Sequence, residues 1–277
     1  MTIISRDQLI SALGNNASRL IIDKASISST AAGQFFSLWR ATGQPGLGAV
    51  PAAAAACTNA STGAMNFSQQ TAPATSYGAY AYAMCSNSAT TLEVHDRLVH
   101  MGGLSGTVVT AQTVDLDVSL GTDNMPARIG SANCSEIQWW LEVYTAMGAT
   151  GVNATVNVTY DDNSTGSLLA FALGATPRVG RMYPLNSLLP AAAAGRYIKK
   201  INDVTLSATT GTAGNFGFTA TRLRMTLPLA LANKSEFFDW AQLGLPDIAN
   251  SACLSLIVLC STTTTGTIRG GAKIAHG

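Results

Sequence analysis

The sequence predicts a mainly β protein, a jelly-roll-type antiparallel β-sandwich that follows an N-terminal arm region of extended segments and short helices. From Leu104 onward, apolar and polar residues alternate with period two, as in strands that are buried on one face. About eight to ten such segments follow one another without a long helical pattern, and this number is typical of a β-sandwich. Clusters of Gly, Asp and Asn between the segments indicate turns.

The first residues predict a short helix followed by extended chain. Ser5 can cap a helix that Gly14 ends. Residues 19–28 predict a strand, and residues 30–46 concentrate aromatic and aliphatic side chains ahead of a Gly/Pro turn.

Residues 88–103 predict the clearest helix of the chain. Leu92, His95, Leu98 and Val99 approximate one face, and two consecutive glycines are expected to end the helix. We place the main boundary here. Residues 1–103 are expected to form the arm or docking region, and residues 104–277 the β-sandwich domain.

Period-two segments fill the second region. Residues 136–147, 152–160 and 167–173 predict three consecutive antiparallel strands. Residues 253–260 are apolar at nearly every position, which predicts a central strand that is covered on both faces. Further strand candidates are residues 196–208, 216–231 and 266–274.

The chain is short of ionic groups. Charged residues make up 11% of the sequence, against roughly 25% in an ordinary globular protein. Between Ala41 and Leu92, 52 consecutive residues include no Asp, Glu, Lys, Arg or His. Because charge keeps monomers soluble and apart, we expect other subunits to cover much of this surface. The neutral stretch is expected to be mostly extended or looped and to lie against neighbouring protein.

Composition also argues against several partners. The net charge is +1 and the basic residues do not cluster, so direct binding of DNA or RNA is not expected. The five cysteines include no CxxC pair and are expected to be reduced and buried. The first residues lack a signal-peptide pattern, and polar residues and prolines interrupt the neutral stretch too often for a membrane-spanning helix. No membrane partner is therefore expected.

Patterns typical of enzymes and metal sites are missing from the sequence. It includes no GxSxG, HExxH, P-loop or GxGxxG motif. His95 and His100 are expected to point apart on their helix and to be surface or capping residues. The Asp115 and Asp117 pair, like residues 161–163, fits strand and turn conformation as well as it fits a metal. We predict no catalytic residue, no metal and no cofactor.

Aromatic side chains are the predicted interface anchors, since aromatic residues dominate interface energetics. Phe35, Phe36 and Trp39 belong to one short element. Trp139 and Trp140 are neighbours in a strand, so they point to opposite faces, and only one of them is expected to enter the sandwich core.

Two arginines are a further interface candidate. Arg222 and Arg224 share one strand face and could clamp acidic groups of a partner subunit. A solvated strand face accounts for the same pattern.

Three segments carry a resemblance to a known class of proteins: TAAGQFFSLWRATGQPG, EVHDRLVHMGGLSGT and QWWLEVYTAMGATGVNATVNVTY. Together they resemble proteins from the virion-structure modules of tailed bacteriophages. The resemblance implies a capsid-associated role, most like a cement or decoration protein that sits as a homotrimer on the shell and bridges capsomers. It implies the major capsid protein as partner and the virion surface as location, after synthesis in the host cytoplasm.

Other functions stay open. Jelly rolls also serve as carbohydrate- or receptor-binding modules, and Tyr77, Tyr80, Tyr82 or Trp140 could stack on sugars. A hydrolytic tail enzyme would need two carboxylates converging in a cleft. A major capsid protein of the usual tailed-phage fold would need a long spine helix, which the sequence does not predict.

Overall fold

Antiparallel β-sheet dominates the computed structural model, which describes residues 3–71, 73–121 and 125–277. The chain forms two compact units, each built from segments that are distant in sequence. Unit 1 comprises Met1–Ala49, Thr58–Asp96 and Leu223–Gly277, and unit 2 comprises Val50–Cys57 and Arg97–Arg222. The predicted fold class, mainly β with antiparallel sheets in a sandwich-like arrangement, is confirmed.

Two long strands belong partly to each unit, because the chain passes from one unit to the other within them. They are β6 (Thr90–Leu104) and β14 (Asn215–Leu229). The remaining elements of unit 1 are α1 (Arg6–Asn15), β1 (Ala17–Lys24), β2 (Phe35–Ser37), β3 (Gly43–Gln44), β5 (Ser76–Cys85), β15 (Glu236–Asp239), β16 (Asp247–Ile248), β17 (Leu254–Leu259) and β18 (Ile268–His276).

Unit 1 contains a six-stranded sheet in the order β15-β5-β18-β1-β3, with β16 also paired to β5. A second layer pairs β17 with β2 and with the first part of β6. Alternate residues of both layers point inward and form one apolar core. Members from five of these strands are Leu20, Ile22, Ala81, Ala83, Val94, Leu256, Val258, Ala272 and Ile274.

Helix α1 forms as the sequence predicts. The Ser5 hydroxyl accepts a hydrogen bond from the Gln8 amide at 3.2 Å, and the Gln8 side chain accepts one from the Ile4 amide at 2.7 Å. These bonds satisfy backbone donors that a helix N-terminus leaves open. Leu9 and Ala12 then pack on Ala79 and Ala275 of the sheet.

Unit 2 has its own two layers. Its elements are β4 (Ala55–Ala56), β7 (Gln112–Asp117), α2 (Met125–Ile129), β8 (Ile137–Thr145), β9 (Val152–Tyr160), β10 (Thr165–Ser167), β11 (Phe171–Gly174), β12 (Arg181–Pro184), β13 (Ile198–Leu206) and two 3-10 turns, Asn186–Leu188 and Ala191–Ala193. One layer has the order β10-β9-β13-β7, with β11 also on β9. The other pairs β12 with β8, β8 with β14, and β4 with β6.

A second apolar core fills unit 2. Trp139, Leu141 and Val143 of β8 face Val156 and Val158 of β9, as period-two alternation requires.

Within the described residues, no helix has the length and apolar character that a membrane crossing needs.

The helix predicted for residues 88–103 is wrong, because these residues form β6. Their side chains are buried on both faces of a paired strand, from Leu92 to Met101 with one partly exposed exception, so no period-two signal marks them as a strand. The apolar positions then match a helical pattern by chance. Instead of ending a helix, Gly103 takes a φ of 84° inside β6.

The predicted arm is not a separate region of the structure. The boundary at residues 103 and 104 falls near the end of β6, and β1 and β5 from the first hundred residues both pair with β18 from the last ten. Of the three consecutive antiparallel strands predicted at residues 136–147, 152–160 and 167–173, the first does not pair with the second, since β8 and β9 belong to different sheets, whereas β11 does pair with β9. Strand pairing depends on partners remote in sequence, which local patterns do not encode.

The neutral stretch owes part of its composition to burial within the chain. Strand β5 lies inside the six-stranded sheet and buries alternate residues, while Cys57, Met65 and Phe67 are also buried. Within the stretch, Ala55–Ala56 form β4, which pairs with β6. Residues that fill a core or a central strand need no charge, so this composition does not by itself require a neighbouring subunit.

Candidate functional site

Trp39 is a core residue and not a surface anchor. Its side chain is 2% exposed, and its indole Nε1 donates a hydrogen bond to the Ala49 carbonyl at 2.7 Å. The ring lies so close to Gly48 that a Cβ there would be 1.9 Å from Trp39 Cε2. Truncation of Trp39 would therefore remove core packing, and it cannot test binding to a partner.

The other predicted aromatic anchors are also inside the chain. Phe36 is buried and Phe35 is partly buried on β2. Both Trp139 and Trp140 are buried, although they point to opposite faces of β8. Trp139 Nε1 donates to the Ile198 carbonyl at 2.8 Å, and Trp140 Nε1 donates to the Thr221 hydroxyl at 2.8 Å. Large rings are as typical of cores as of interfaces, and sequence alone does not separate the two.

The predicted arginine clamp exists, but its acidic partners belong to the same chain. In unit 2, Arg222 Nη2 lies 2.6 Å from a carboxylate oxygen of Glu136, and Arg222 Nη1 donates to the carbonyl of Ala127. In unit 1, Arg224 Nη2 lies 3.1 Å from Asp247 Oδ1. Both arginines have little exposed side chain, so neither is open to a partner's carboxylates.

A buried charged network in unit 2 was missed by the sequence analysis. Arg97 Nη2 lies 2.7 Å from Glu142 Oε2 and also donates to the hydroxyls of Tyr144 and Thr219. Its Nε donates to His100 Nδ1 at 3.2 Å. These residues come from β6, β8 and β14, so the network cross-links three strands on the sheet face opposite the apolar core.

Electrostatic interactions keep the guanidinium of Arg97 charged within this network. Burial opposes the charge of Arg97, but the carboxylate of Glu142 and the hydroxyl of Tyr144 hold the pKa of Arg97 above its ordinary value. Burial and the charge of Glu142 raise the pKa of Tyr144. A guanidinium and a phenol that both stay protonated make poor proton acceptors, so the arrangement suits structural cross-linking better than acid–base chemistry.

The remaining sequence candidates do not converge on one another. His95 bonds Glu93 at 2.9 Å and His100 bonds Arg97; both histidines are buried, which corrects their expected surface position. Asp115 pairs with Lys200, and Asp117 accepts from the amide and hydroxyl of Ser119. Across the part of the chain that the structure describes, no three His, Cys, Asp or Glu side chains are placed to hold a metal ion.

Residues 161–163, predicted as turn residues or metal ligands, form a turn that hydrogen bonds to backbone amides stabilise. Asp161 accepts a hydrogen bond from the Tyr197 amide, and Asp162 accepts from the amide of Ser164. Asn163 takes a φ of 63°, the left-handed conformation that Asn tolerates in turns. The turn interpretation therefore accounts for all three side chains.

A cavity of about 420 Å³ in unit 2 has some reactive groups on its wall, among them Cys134, Asp161 and Lys199. Burial, with the nearby charges of Asp117 and Asp161, raises the pKa of Cys134. The thiol is therefore a weak nucleophile at neutral pH. The amine of Lys199 donates a hydrogen bond to Asn163, and the carboxylate of Asp161 accepts one from the Tyr197 amide. These two groups of the cavity wall therefore bond to different partners.

Two features of the surface remain as candidates for binding. The first is the loop between β6 and β7, where Val108 and Val109 are 38% and 48% exposed. Hydrogen bonds hold this loop: Gln112 Nε2 donates to the Ser105 carbonyl, and Gln112 Oε1 accepts from the Ser105 amide. A loop that is already ordered loses little conformational entropy when a partner covers it.

The second feature is the outer face of the six-stranded sheet in unit 1, which we call the aromatic face. Its middle row crosses four paired strands, and its members are Phe237, Tyr82, Gly271 and Ile21. The next row has the members Asp239, Tyr80, Lys273 and Arg19. Phe237 and Ile21 are each 59% exposed, and Tyr80 and Tyr82 are partly exposed.

Internal contacts order the aromatic face. The rings of Tyr80 and Phe237 lie 5.4 Å apart between centroids. Tyr82 lies close to Gly271, where a Cβ would come within 3.3 Å of its hydroxyl, and it accepts a hydrogen bond from Arg19. The three tyrosines that the sequence analysis selected for stacking, Tyr77, Tyr80 and Tyr82, are on β5 and point outward.

Comparisons with known proteins give no family. No protein-family model matches the chain, and no curated protein matches it. Among solved structures, the chain is similar to that of the infectious bursal disease virus Gt strain, with 10% identity and a TM-score of 0.17 over 94% of this chain and 80% of that chain. The structure of the Gx strain has 11% identity and a TM-score of 0.20 over the same shares. TM-scores this low carry no argument about fold or function.

Proposed function

We propose that this chain is a structural virion protein that binds a bacteriophage capsid shell and stabilises it by bridging neighbouring capsomers, as a cement or decoration protein. The observation that carries the proposal is a surface that combines few charges with exposed large apolar side chains. Charged residues are 11% of the sequence. The exposed apolar side chains include Ile4, Ile10, Ile21, Leu47, Val109, Leu169, Leu223, Leu231, Phe237 and Trp240.

Such a surface favours association over solvation. Burying apolar area contributes about 25 cal/mol per Å², less the entropy that docking costs. Repetition of a modest contact over many copies of a shell makes its total contribution large. In the proposal the major capsid protein is the partner, the chain acts as a homotrimer on the shell, and its role is mechanical, without catalytic, metal or cofactor chemistry.

The Val108 and Val109 loop is the contact that we assign to the shell, because it offers apolar area in an ordered loop. The test mixes purified chain with capsid shells that lack it and measures bound chain per shell after sedimentation. We expect saturable binding and a higher temperature of shell disruption. The double substitution Val108→Asp and Val109→Asp should weaken binding by at least about tenfold.

Leu169→Asp provides the matched control, since Leu169 is 54% exposed in the same unit but far from the loop in sequence. Equal binding of the wild type and the loop variant would overturn the assignment of the loop. Failure of the wild-type chain to bind any shell would overturn the proposed function itself.

A second candidate function is carbohydrate binding by the aromatic face. The partly exposed rings of Tyr80 and Tyr82, next to hydrogen-bonding side chains such as Arg19 and Asp239, are the observation that favours it. A glycan array distinguishes the two functions, because a protein devoted to shell assembly should bind no glycan.

A further inference from the structure

We propose that Arg19, Lys273 and Tyr82, on the aromatic face of unit 1, form a binding site for an acidic sugar. In this site the two cations bind the carboxylate of the sugar, and the tyrosine ring packs against its pyranose ring. The inference rests on the second candidate function, carbohydrate binding by the aromatic face, and it narrows the ligand of that face to sugars that have a carboxylate group.

Two cations lie side by side on the aromatic face. Arg19 of β1 and Lys273 of β18 are directly opposite each other in the register of the two strands, so their Cβ atoms are about 5 Å apart. Arg19 is exposed and Lys273 is partly exposed. Like charges in this position destabilise a sheet. An anion bound between them would replace this repulsion by attraction.

No carboxylate among the described residues forms a salt bridge with either cation. Arg19 Nη2 donates to the hydroxyl of Tyr82 at 3.4 Å, and Lys273 Nζ donates to a backbone carbonyl of α1 at 2.6 Å. Both acceptors are neutral. By contrast, Asp23 and Arg269, the next outward pair in the same register, form an ion pair at 3.2 Å. The two charges of the proposed site are therefore not neutralised within the described chain.

The remaining donors of both cations suit a carboxylate. A guanidinium has five N–H donors in a planar fork, and an ammonium has three. Since the structure shows one hydrogen bond for each cation, Arg19 can still bind two carboxylate oxygens and Lys273 can add a further bond.

The ring of Tyr82 provides an aromatic surface beside the cations. A Cβ at Gly271 would be 3.3 Å from the Tyr82 hydroxyl and 3.4 Å from Cε1, so the ring lies over this glycine. The C–H groups on one face of a pyranose can pack on the negative face of such a ring. Ile21, which is opposite Gly271 in the register and 59% exposed, adds apolar area next to it.

Helix α1 limits the size of the ligand. Its Leu9 and Ala12 pack on the same sheet face, and its Leu13 carbonyl is the acceptor for Lys273. The helix therefore bounds the site beside Lys273, while Arg19 and Tyr82 keep exposed surface next to it. A site of this kind fits one sugar ring better than the flat surface of another protein.

Polar oxygens around the site favour a sugar over an apolar acid. The hydroxyls of Tyr80 and Tyr82 and the carboxylate of Asp239, which is opposite Tyr80 in the register, belong to this face. An apolar ring would take water from these groups without replacing its hydrogen bonds, whereas sugar hydroxyls can donate and accept. A neutral sugar would in turn leave the two cations without an anion.

The test is an NMR titration of the full chain with glucuronate and with glucose, which differ only in the carboxylate at C6. For ligands of this size we expect a Kd for glucuronate of about 1–10 mM. Glucose should bind at least about tenfold more weakly, because it makes no charge-assisted hydrogen bond. Raising the salt concentration to about 1 M should weaken only the binding of glucuronate.

Three variants separate the contributions. Arg19→Met should lower the affinity for glucuronate by at least about tenfold, to the level of glucose. Tyr82→Ala should weaken the binding of both sugars, since it removes the aromatic surface. Arg269→Met is the matched control, because Arg269 is also exposed on this face but already pairs with Asp23, and it should bind as the wild type does. Circular dichroism checks the folding of each variant.

Equal affinity for the two sugars, or an Arg19→Met chain that still prefers glucuronate, would overturn the inference and leave carbohydrate binding by the aromatic face in place. Absence of binding to both sugars and to every glycan of the array would overturn both. Acetate or tetraglutamate that binds as tightly as glucuronate would overturn the assignment to a sugar in favour of a bare carboxylate or an acidic peptide. Shell binding is measured separately and does not depend on these results.

Discussion

Some buried polar side chains of this protein form hydrogen bonds to backbone carbonyls and so stabilise the path of the chain. Lys24 is an example. Its side chain is buried, and the ammonium donates to the carbonyls of Ala41 and Gly46 at 3.0 and 3.5 Å. It thereby fixes the loop that begins the neutral stretch. Sequence analysis assigned no role to Lys24, since a lysine that alternates with apolar residues in a strand is normally taken as solvated.

Lys24 gives a prediction about pH. Burial lowers the pKa of Lys24 from 10.5 to about 8 in the folded chain. Between these two values the unfolded chain binds a proton that the folded chain does not, so the free energy of unfolding should rise with pH from 8 to 10.5, by up to about 3 kcal/mol. Urea unfolding of the wild type and of Lys24→Met at pH 7.5 and 10 measures this contribution.

Because other groups titrate in the same range, the quantity to compare is the difference in unfolding free energy between the wild type and the variant. That difference should move in favour of the wild type at the higher pH. A difference that stays constant between the two pH values would mean that Lys24 keeps its ordinary pKa.

At the scale of elements, the two long strands β6 and β14 were the hardest to predict. Residues 88–103 matched a helical pattern because both faces of β6 are buried, whereas β9, with one polar face, was predicted correctly at residues 152–160. A period is visible only where one face of a strand meets solvent. The polar residues of β6, among them Arg97 and His100, are buried by their neighbours in a network that no sequence motif marks.

The network predicts a large effect of removing one charge. Arg97→Met leaves the carboxylate of Glu142 buried without its guanidinium, so we expect a loss of about 3–5 kcal/mol in the free energy of unfolding. The double variant Arg97→Met, Glu142→Gln removes both charges and should recover part of this loss. Urea unfolding measures both, and the exposed Arg19→Met provides the control.

If Arg97→Met were to lose less than about 1 kcal/mol, the pair would not be buried and coupled as described. If the double variant were no more stable than the single one, packing and not charge would account for the loss.

On the scale of the whole molecule, each unit has its own apolar core, and the five cysteines are divided between them. Cys57 and Cys134 belong to unit 2, and Cys85, Cys253 and Cys260 to unit 1. All five are buried and in no disulfide, as the sequence predicted. Buried thiols react only when the structure around them opens.

Thiol labelling therefore reports on the integrity of both units. In the native protein we expect no cysteine to react with a chromogenic disulfide reagent on the timescale of minutes, and in denaturant we expect all five to react. Mass spectrometry of partly labelled samples then assigns opening to one unit or the other. A thiol that reacts at once in the native state would contradict its burial.

By itself, the sequence determined the fold class, the capped helix α1 and most strands that have one polar face. These are local properties, since capping, alternation and turn chemistry act between residues a few positions apart. Only the tertiary structure decided that Trp39, Trp139 and Trp140 fill cores, that Arg222 and Arg224 bind acids of their own chain, and that β1 and β18 pair across the full length of the sequence. Burial and pairing depend on which distant segments meet, and an aromatic ring or an arginine has the same local pattern in a core as on a surface.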